Sequence, residues 1–114
     1  ALDTFPYTGG MTTCEALAMG VPVITLRGES HGARFGESLL RNANQPELIA
    51  ATPEDYVRLA VRLASSPEQL RTLRMELRPR LERSPLMDAH TYVRDVEAAY
   101  TEIWEKFVRA AGEI

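Results

Sequence analysis

The sequence predicts an α/β domain: the second half of a doubly wound, Rossmann-like parallel sheet, with about three short parallel strands, flanking helices and a long C-terminal helix. Three observations predict it. Short apolar segments alternate with helical patterns, which is the order a parallel sheet requires. Residues 21–26, "VPVITL", are β-branched and uninterrupted, as expected of a strand buried on both faces. Three strands set against five helical segments are too few for a complete doubly wound domain, so the reading is one half of it.

Residues 2–6 form the first strand, ended by Pro6 and the turn residues Thr8, Gly9 and Gly10. A helix is predicted from Thr12, because Thr12-Thr13-Cys14-Glu15 fits the S/T-x-x-E capping box and Ala16, Leu17, Ala18 and Met19 are good helix formers. Gly20 is placed to end it in the left-handed conformation. The strand over 21–26 follows, with Pro22 tolerated only near its first residue. Gly28-Glu29-Ser30 is a loop before a helix at about 33–41, and Leu48-Ile49-Ala50 is a third, minimal strand.

Thr52-Pro53-Glu54-Asp55 is a strong helix start, with a Thr cap, Pro in the first turn and two acids near the positive end of the dipole. Its apolar stripe is Tyr56, Val57, Ala60, Val61 and Ala64. Ser66-Pro67-Glu68-Gln69 opens another helix, with Leu70, Leu73, Leu77 and Leu81 as its core face. Pro79 is expected to kink or end that helix, since it has no N–H for the carbonyl of Met75. The last helix, 88–111, carries Tyr92, Val96, Ala99, Ile103 and Phe107 in helical register, with Trp104 beside them.

A length of 114 residues suits one domain, and 45% hydrophobic with 25% charged residues is ordinary for a globular one. The formal charge is −3 and the basic residues are interspersed among acids. Nucleic acid and anionic membrane are therefore disfavoured as partners, because both need a clustered basic face. Cys14 is the one cysteine, so no internal disulfide can form and a cytoplasmic location is expected. There is no apolar run near the roughly 18–20 residues that span a bilayer, and no signal peptide pattern. The chain begins without Met inside what reads as a strand, so the expectation is a piece of a larger protein.

The turn "TGGMTTCE" admits two readings. It is a tight turn, or it is a cradle for an anion, since ligands of doubly wound sheets bind beyond the carboxyl ends of strands at helix N-termini. Gly9 and Gly10 let a ligand approach the backbone. Met11, Thr12 and Thr13 then offer N–H groups and two hydroxyls. These residues alone leave both readings open.

The run "LDTFPYTGGMTTCEALAMGVPVITLRGES", followed by Arg34, "ELIA", "TPEDYVRLAVRLA", "SPL" and a closing helix with Trp104, resembles the C-terminal end of the O-linked N-acetylglucosamine transferase family, which includes the bacterial TPR-linked and SPINDLY-like members. The most specific parts are "LDTFPY", the "TTC" turn and "MGVPV". The resemblance implies that residues 1–114 are the C-terminal portion of the nucleotide-sugar-binding lobe of a two-lobed GT-B glycosyltransferase. The implied activity is inverting transfer of a sugar, N-acetylglucosamine from its UDP donor, to protein Ser/Thr hydroxyls. GDP-fucose is the other donor left open.

It further implies that Gly10, Met11 and Thr12, with Thr13 beside them, meet the diphosphate, and that Glu15 holds the ribose. Two positions depart from the family pattern. Met11 stands where a hydroxyl is usual, and Glu15 replaces Asp and is one methylene longer. Glu15 also reads as the reciprocal half of the capping box. The implied partners are the UDP-sugar donor, a protein acceptor bound through upstream regions, and the N-terminal lobe. No catalytic residue is expected within this segment. Two other classes stay open, a sugar-nucleotide epimerase lobe and a non-catalytic α/β interaction module.

The remaining candidates read more plainly. Cys14 lies in a first helical turn, where thiol pKa values fall, but a small buried residue is the simpler reading. His31 could reach a sugar-binding crevice or be solvated, and His90 reads as structural. Glu29 reads as a cap, and Arg34 as an ion-pair partner of acids. Two His and one Cys at these spacings match no zinc pattern and no D-x-D cluster exists, so no cofactor is expected beyond the nucleotide-sugar substrate, with metal-independent chemistry. An unpaired edge at 2–6 and the aromatic face of the last helix predict a homodimer or larger assembly.

Overall fold

Residues 1–112 are described by the computed structural model. The helices are α1 (Met11–Ala18), α2 (Phe35–Asn42), α3 (Pro53–Ala64), α4 (Pro67–Glu82) and α5 (Ala89–Gly112). The strands are β1 (Thr25–Leu26) and β2 (Ile49–Ala50), and 3-10 turns lie at Pro46–Leu48 and Pro85–Met87.

The sheet is parallel and smaller than expected. Thr25 pairs with Ile49 and Leu26 with Ala50. Residues 2–6 contribute a single parallel bridge, Leu2 with Ile24, rather than a third strand. The cause is local. Asp3 N–H donates to the Ile24 carbonyl at 2.9 Å, but the Asp3 carboxylate then takes the Thr4 N–H at 3.0 Å, which turns the chain out of the ladder. The strand expected at 21–26 is confined to its last two residues. Val21 N–H is occupied by the Ala16 carbonyl at 2.8 Å, and Pro22 has no N–H to give.

The helix ends follow their sequence signals, with one correction. Gly20 has φ 71°, and the bonds Gly20 N–H to Leu17 and Val21 N–H to Ala16 close a Schellman motif at the end of α1. Thr52 caps α3, its hydroxyl accepting from Asp55 N–H at 3.1 Å. The capping box at Thr12–Glu15 does not form: the N-cap is Gly10, and Thr12 is already the second helical residue. The Gly9 N–H is held by Asp3 Oδ1 at 2.8 Å, and the Gly10 carbonyl accepts from Thr13 and Cys14, which closes the first turn earlier. Pro79 lies inside α4 without ending it. It falls in the last turns, where burial of Leu77 and Leu81 outweighs one lost backbone bond.

The core gathers Leu17, Val23, Ile24, Leu40, Leu48, Leu59, Leu77 and Leu81 between the small sheet and α1–α4. Of the expected Leu stripe of α4, Leu77 and Leu81 are buried and Leu70 and Leu73 are half-buried. α5 buries no residue, so Tyr92, Tyr100, Ile103, Trp104 and Phe107 are exposed. Among the described residues no helix is long and apolar enough to cross a membrane.

Gly36, in the first turn of α2, leaves less room for a Cβ than any other described glycine. A Cβ there would lie 2.2 Å from Thr25 Oγ1 and 2.6 Å from Asp3 Oδ2, both on buried side chains. Gly36→Ala is expected to destabilise the fold by about 1–3 kcal/mol, the usual cost of overpacking, read as a lowered midpoint in denaturant unfolding.

Candidate functional site

The loop between Leu2 and α1 is built on three buried polar side chains. Asp3 Oδ1 accepts from Gly9 N–H at 2.8 Å, and Asp3 Oδ2 accepts from the Thr25 hydroxyl at 2.8 Å. The Asp3 carbonyl accepts from the Tyr56 hydroxyl at 2.8 Å. Thr8 links this loop to the next: its hydroxyl donates to the Gly32 carbonyl at 3.2 Å and accepts from Gly36 N–H at 2.9 Å. Asp3 and Thr25 were not singled out from the sequence, and Thr8 was read only as a turn residue. The available signal was polar Asp3 and Thr25 within apolar strand segments, where an unpaired polar group would be costly.

The two glycines have different tasks. A Cβ on Gly9 would stand 2.6 Å from Thr13 Oγ1 and 3.2 Å from Asp3 Oδ1, so Gly9 is required by internal packing rather than by an approaching ligand. A Cβ on Gly10 would meet nothing within 4 Å. The space over Gly10 is open.

α1 presents two faces. Thr13 and Leu17 are buried, whereas Met11, Thr12 and Glu15 are exposed together on the other side. Thr13 packs on Gly9 and gives its N–H to the Gly10 carbonyl, so it seats the turn and its main chain has no free donor to offer outward. The N–H groups of Met11 and Thr12 open the helix, with no carbonyl four residues back inside it and no side-chain cap. An open helix start with unspent N–H groups is a locus for an anion. Among the described residues the Glu15 carboxylate receives no hydrogen bond, so it is free of the capping duty expected of it.

Around this turn stand Tyr7, His31 and Phe35. Tyr7 and His31 both meet Phe35 edge-on, with ring centroids 6.2 Å and 4.8 Å away. His31 is thus brought beside the loop that carries the turn. The other candidates lie apart from it or take different parts. Burial pushes the Cys14 thiol above its ordinary pKa, the opposite of an activated nucleophile. Arg34 Nε donates to the Gly28 carbonyl at 2.9 Å instead of pairing with an acid, and it is Arg34, not Glu29, that occupies the N-cap of α2. His90 is exposed in the first turn of α5. Among the described residues no group of three His, Cys, Asp or Glu is placed to hold a metal ion.

Comparison with known proteins bears on this site. Residues 1–96 match the family model "Glycosyl transferase family 41". The chain is 46% identical over 109 residues, 96% of its length, to a probable UDP-N-acetylglucosamine–peptide N-acetylglucosaminyltransferase SPINDLY from Eustoma exaltatum subsp. russellianum. It is 41% identical over 114 residues to the protein of the same name from Arabidopsis thaliana. It spans 12% of the length of each of these relatives. Among solved structures, a point mutant of the Thermobaculum terrenum O-GlcNAc transferase superposes with a TM-score of 0.87 at 40% identity, over 97% of this chain and 21% of that one.

Asp3→Asn tests the scaffold of the site. The amide keeps the shape but loses the charge that strengthens the bonds from Gly9 and Thr25. The expected outcome is a loss of about 1.5–3 kcal/mol in unfolding free energy, the range for hydrogen bonds to a charged group, measured by denaturant titration.

Proposed function

The chain belongs to glycosyl transferase family 41, and from that premise we propose that residues 1–114 are the C-terminal portion of the nucleotide-sugar-binding lobe of a two-lobed, GT-B transferase. Its parent transfers a sugar, N-acetylglucosamine from its UDP donor, to Ser/Thr hydroxyls of proteins with inversion, in the cytoplasm. The observation that carries this reading is the first turn of α1. Free N–H groups at Met11 and Thr12 follow an unobstructed Gly10, inside the segment that resembles the family's diphosphate turn.

In the proposed reaction the acceptor hydroxyl oxygen bonds to the anomeric carbon as the bond from that carbon to the diphosphate oxygen breaks. The electron pair leaves on the diphosphate, and the hydroxyl proton passes to a base outside this segment. What this chain contributes is stabilisation of the leaving group. The N–H groups of Gly10, Met11 and Thr12 and the positive end of α1 meet charge as it develops, fixed in advance and with little reorganisation. Met11 serves only through its backbone, Thr12 adds a hydroxyl, and Thr13 holds the turn in place. Glu15, exposed on the same face of α1 as Met11 and Thr12, accepts from the ribose hydroxyls. The donor is substrate, and the reading includes no cofactor or metal.

The exposed Leu2 edge and the apolar stripe of α5 meet the other lobe in the parent. In the isolated 114-residue chain they drive self-association instead, because burying two or three aromatics at about 25 cal/mol per Å2 contributes several kcal/mol. Light scattering of this chain at high concentration is expected to give a dimer or larger species, and a clean monomer would count against that part of the reading.

Titrating UDP and GDP into the full-length protein that carries this segment tests the donor assignment. UDP is expected to bind more tightly than GDP, and Thr12→Val to weaken that binding by about 1 kcal/mol through loss of one hydrogen bond. Affinity unchanged by the substitution would remove Thr12 from the site.

A further inference from the structure

We propose that α5 of one copy of this chain seats in the groove between α1 and α4 of a second copy, with Glu97 set against Arg71 and Arg74. The proposal rests on the reading that the isolated chain self-associates through α5, and it names the surface that α5 meets. The groove lies where the end of α1 passes α4, with Met19 and Gly20 on one side and Leu70, Arg71, Arg74 and Met75 on the other. Met19 and Met75 are 74% and 71% exposed, and Leu70 is half-buried. A Cβ on Gly20 would lie 3.2 Å from the Arg74 carbonyl, so the two helices approach closely there. Methionine side chains are flexible and polarizable, and they adapt readily to a partner's surface.

The charges along this groove have one sign. Arg71 and Arg74 line it, and no acid does. Neither has a carboxylate within ion-pair distance among the described residues, whereas Arg27, Arg41, Arg58, Arg78 and Arg80 each have one. The chain as a whole carries a formal charge of −3. A locally positive, apolar groove on such a chain is complementary to an apolar segment that carries an acid.

α5 is such a segment. Val93, Glu97, Tyr100, Trp104 and Phe107 recur at alternating spacings of four and three residues, so they share one helix face, and all are exposed. Glu97 is the one charged residue on that face, and no cation lies within ion-pair distance of it among the described residues. Arg94 and Glu105 fall at the margins of the face, and Asp95, Glu102, Lys106 and Arg109 lie on the far side of the helix. Trp104 and Phe107 already stack, with ring centroids 5.8 Å apart. From Val93 to Phe107 the face runs about 21 Å, close to the roughly 24 Å length of α4. α5 packs on its own chain at Pro85–Met87 and projects from it, which makes the molecule 63 Å long. The occupant is therefore α5 of a second copy, entering as a helix in a groove. Each chain has one such groove and one such helix, so reciprocal seating about a twofold axis leaves neither open.

Sedimentation equilibrium of the 114-residue chain, giving the Kd of self-association, tests the assignment by charge exchange. Arg71→Glu combined with Arg74→Glu is expected to weaken association about tenfold or more, because Glu97 then faces like charge. Glu97→Arg alone is expected to have the same effect. All three substitutions together are expected to restore the Kd to within about threefold of wild type. The three side chains are exposed, and circular dichroism checks that each variant keeps the fold. Association untouched by the arginine reversals overturns the groove assignment and leaves self-association through α5 standing. Weakening by each reversal that the triple variant does not undo overturns the pairing of Glu97 with the arginines. A wild-type chain that stays monomeric at high concentration overturns both readings.

Discussion

The arrangement depends on one buried carboxylate. Burying Asp3 would cost several kcal/mol if its charge were left unmet. Here Gly9 N–H, Thr4 N–H and the Thr25 hydroxyl meet it, at 2.8, 3.0 and 2.8 Å. The same residue bonds to Ile24 through its N–H and to Tyr56 through its carbonyl. Three separate pieces of chain, at Gly9, at Ile24–Thr25 and at Tyr56, are therefore referenced to one side chain and its peptide groups. The sheet edge ends where the carboxylate turns Thr4 away, the glycine turn begins where it takes Gly9, and α2 can approach only because Gly36 has no Cβ. Few local interactions would hold residues 3–10 in place without it.

That dependence explains what could and could not be read in advance. Local devices were legible, because each is complete within a few residues: the Thr52 cap with Pro53 behind it, the Gly20 stop, the 3.6-residue stripe of α4. The strands were legible in kind but not in length. Their ends are fixed by particular hydrogen bonds, from Thr4 N–H to the Asp3 carboxylate and from Val21 N–H to the Ala16 carbonyl, and apolar composition carries no trace of them. The capping box was misread for the same reason. Thr12-x-x-Glu15 is a valid local pattern, but the tether from Asp3 to Gly9 makes Gly10 the first acceptor. In the site, the turn and its open residues could be picked out through family resemblance, whereas the supports Asp3, Thr8 and Thr25 lie up to 53 positions from their partners in sequence.

The division between Gly9 and Gly10 gives the site its logic. A cradle for an anion needs rigid walls and an empty centre, and adjacent identical residues supply one of each. Gly9 is closed on the protein side by Thr13 and Asp3, so the turn cannot relax outward without breaking buried bonds. Gly10 has open space over it, on the side where the proposed diphosphate would lie. The departures from the family pattern fit this division. At Met11 the helix start can still act through its N–H, since the main chain, not the side chain, is what the scaffold aims. Glu15 is longer than the Asp it replaces, but it carries no capping bond that would have to be broken before it could reach a ribose.

The last helix shows where the balance of forces leaves the chain incomplete. At 1.5 Å per residue α5 is about 36 Å long, and yet it buries none of its residues. It is held by the Asp88 cap at Thr91 and by ion pairs such as Glu102–Lys106 and Glu105–Arg109. Exposed pairs of this kind contribute only about 0.2–0.5 kcal/mol each, and most helical stability in proteins comes from packing an apolar face. Tyr100, Ile103, Trp104 and Phe107 form such a face with nothing packed on it among the described residues. α1 is the opposite case, with Leu17 and Thr13 fully committed to the core and Met11, Thr12 and Glu15 left in water. Polar groups left exposed on a rigid support are how a protein keeps a binding surface, whereas apolar groups left exposed on a weakly held support require another surface to complete them. The turn at α1 is therefore held by the packing of the chain itself, whereas the apolar face of α5 has no surface packed on it among the described residues.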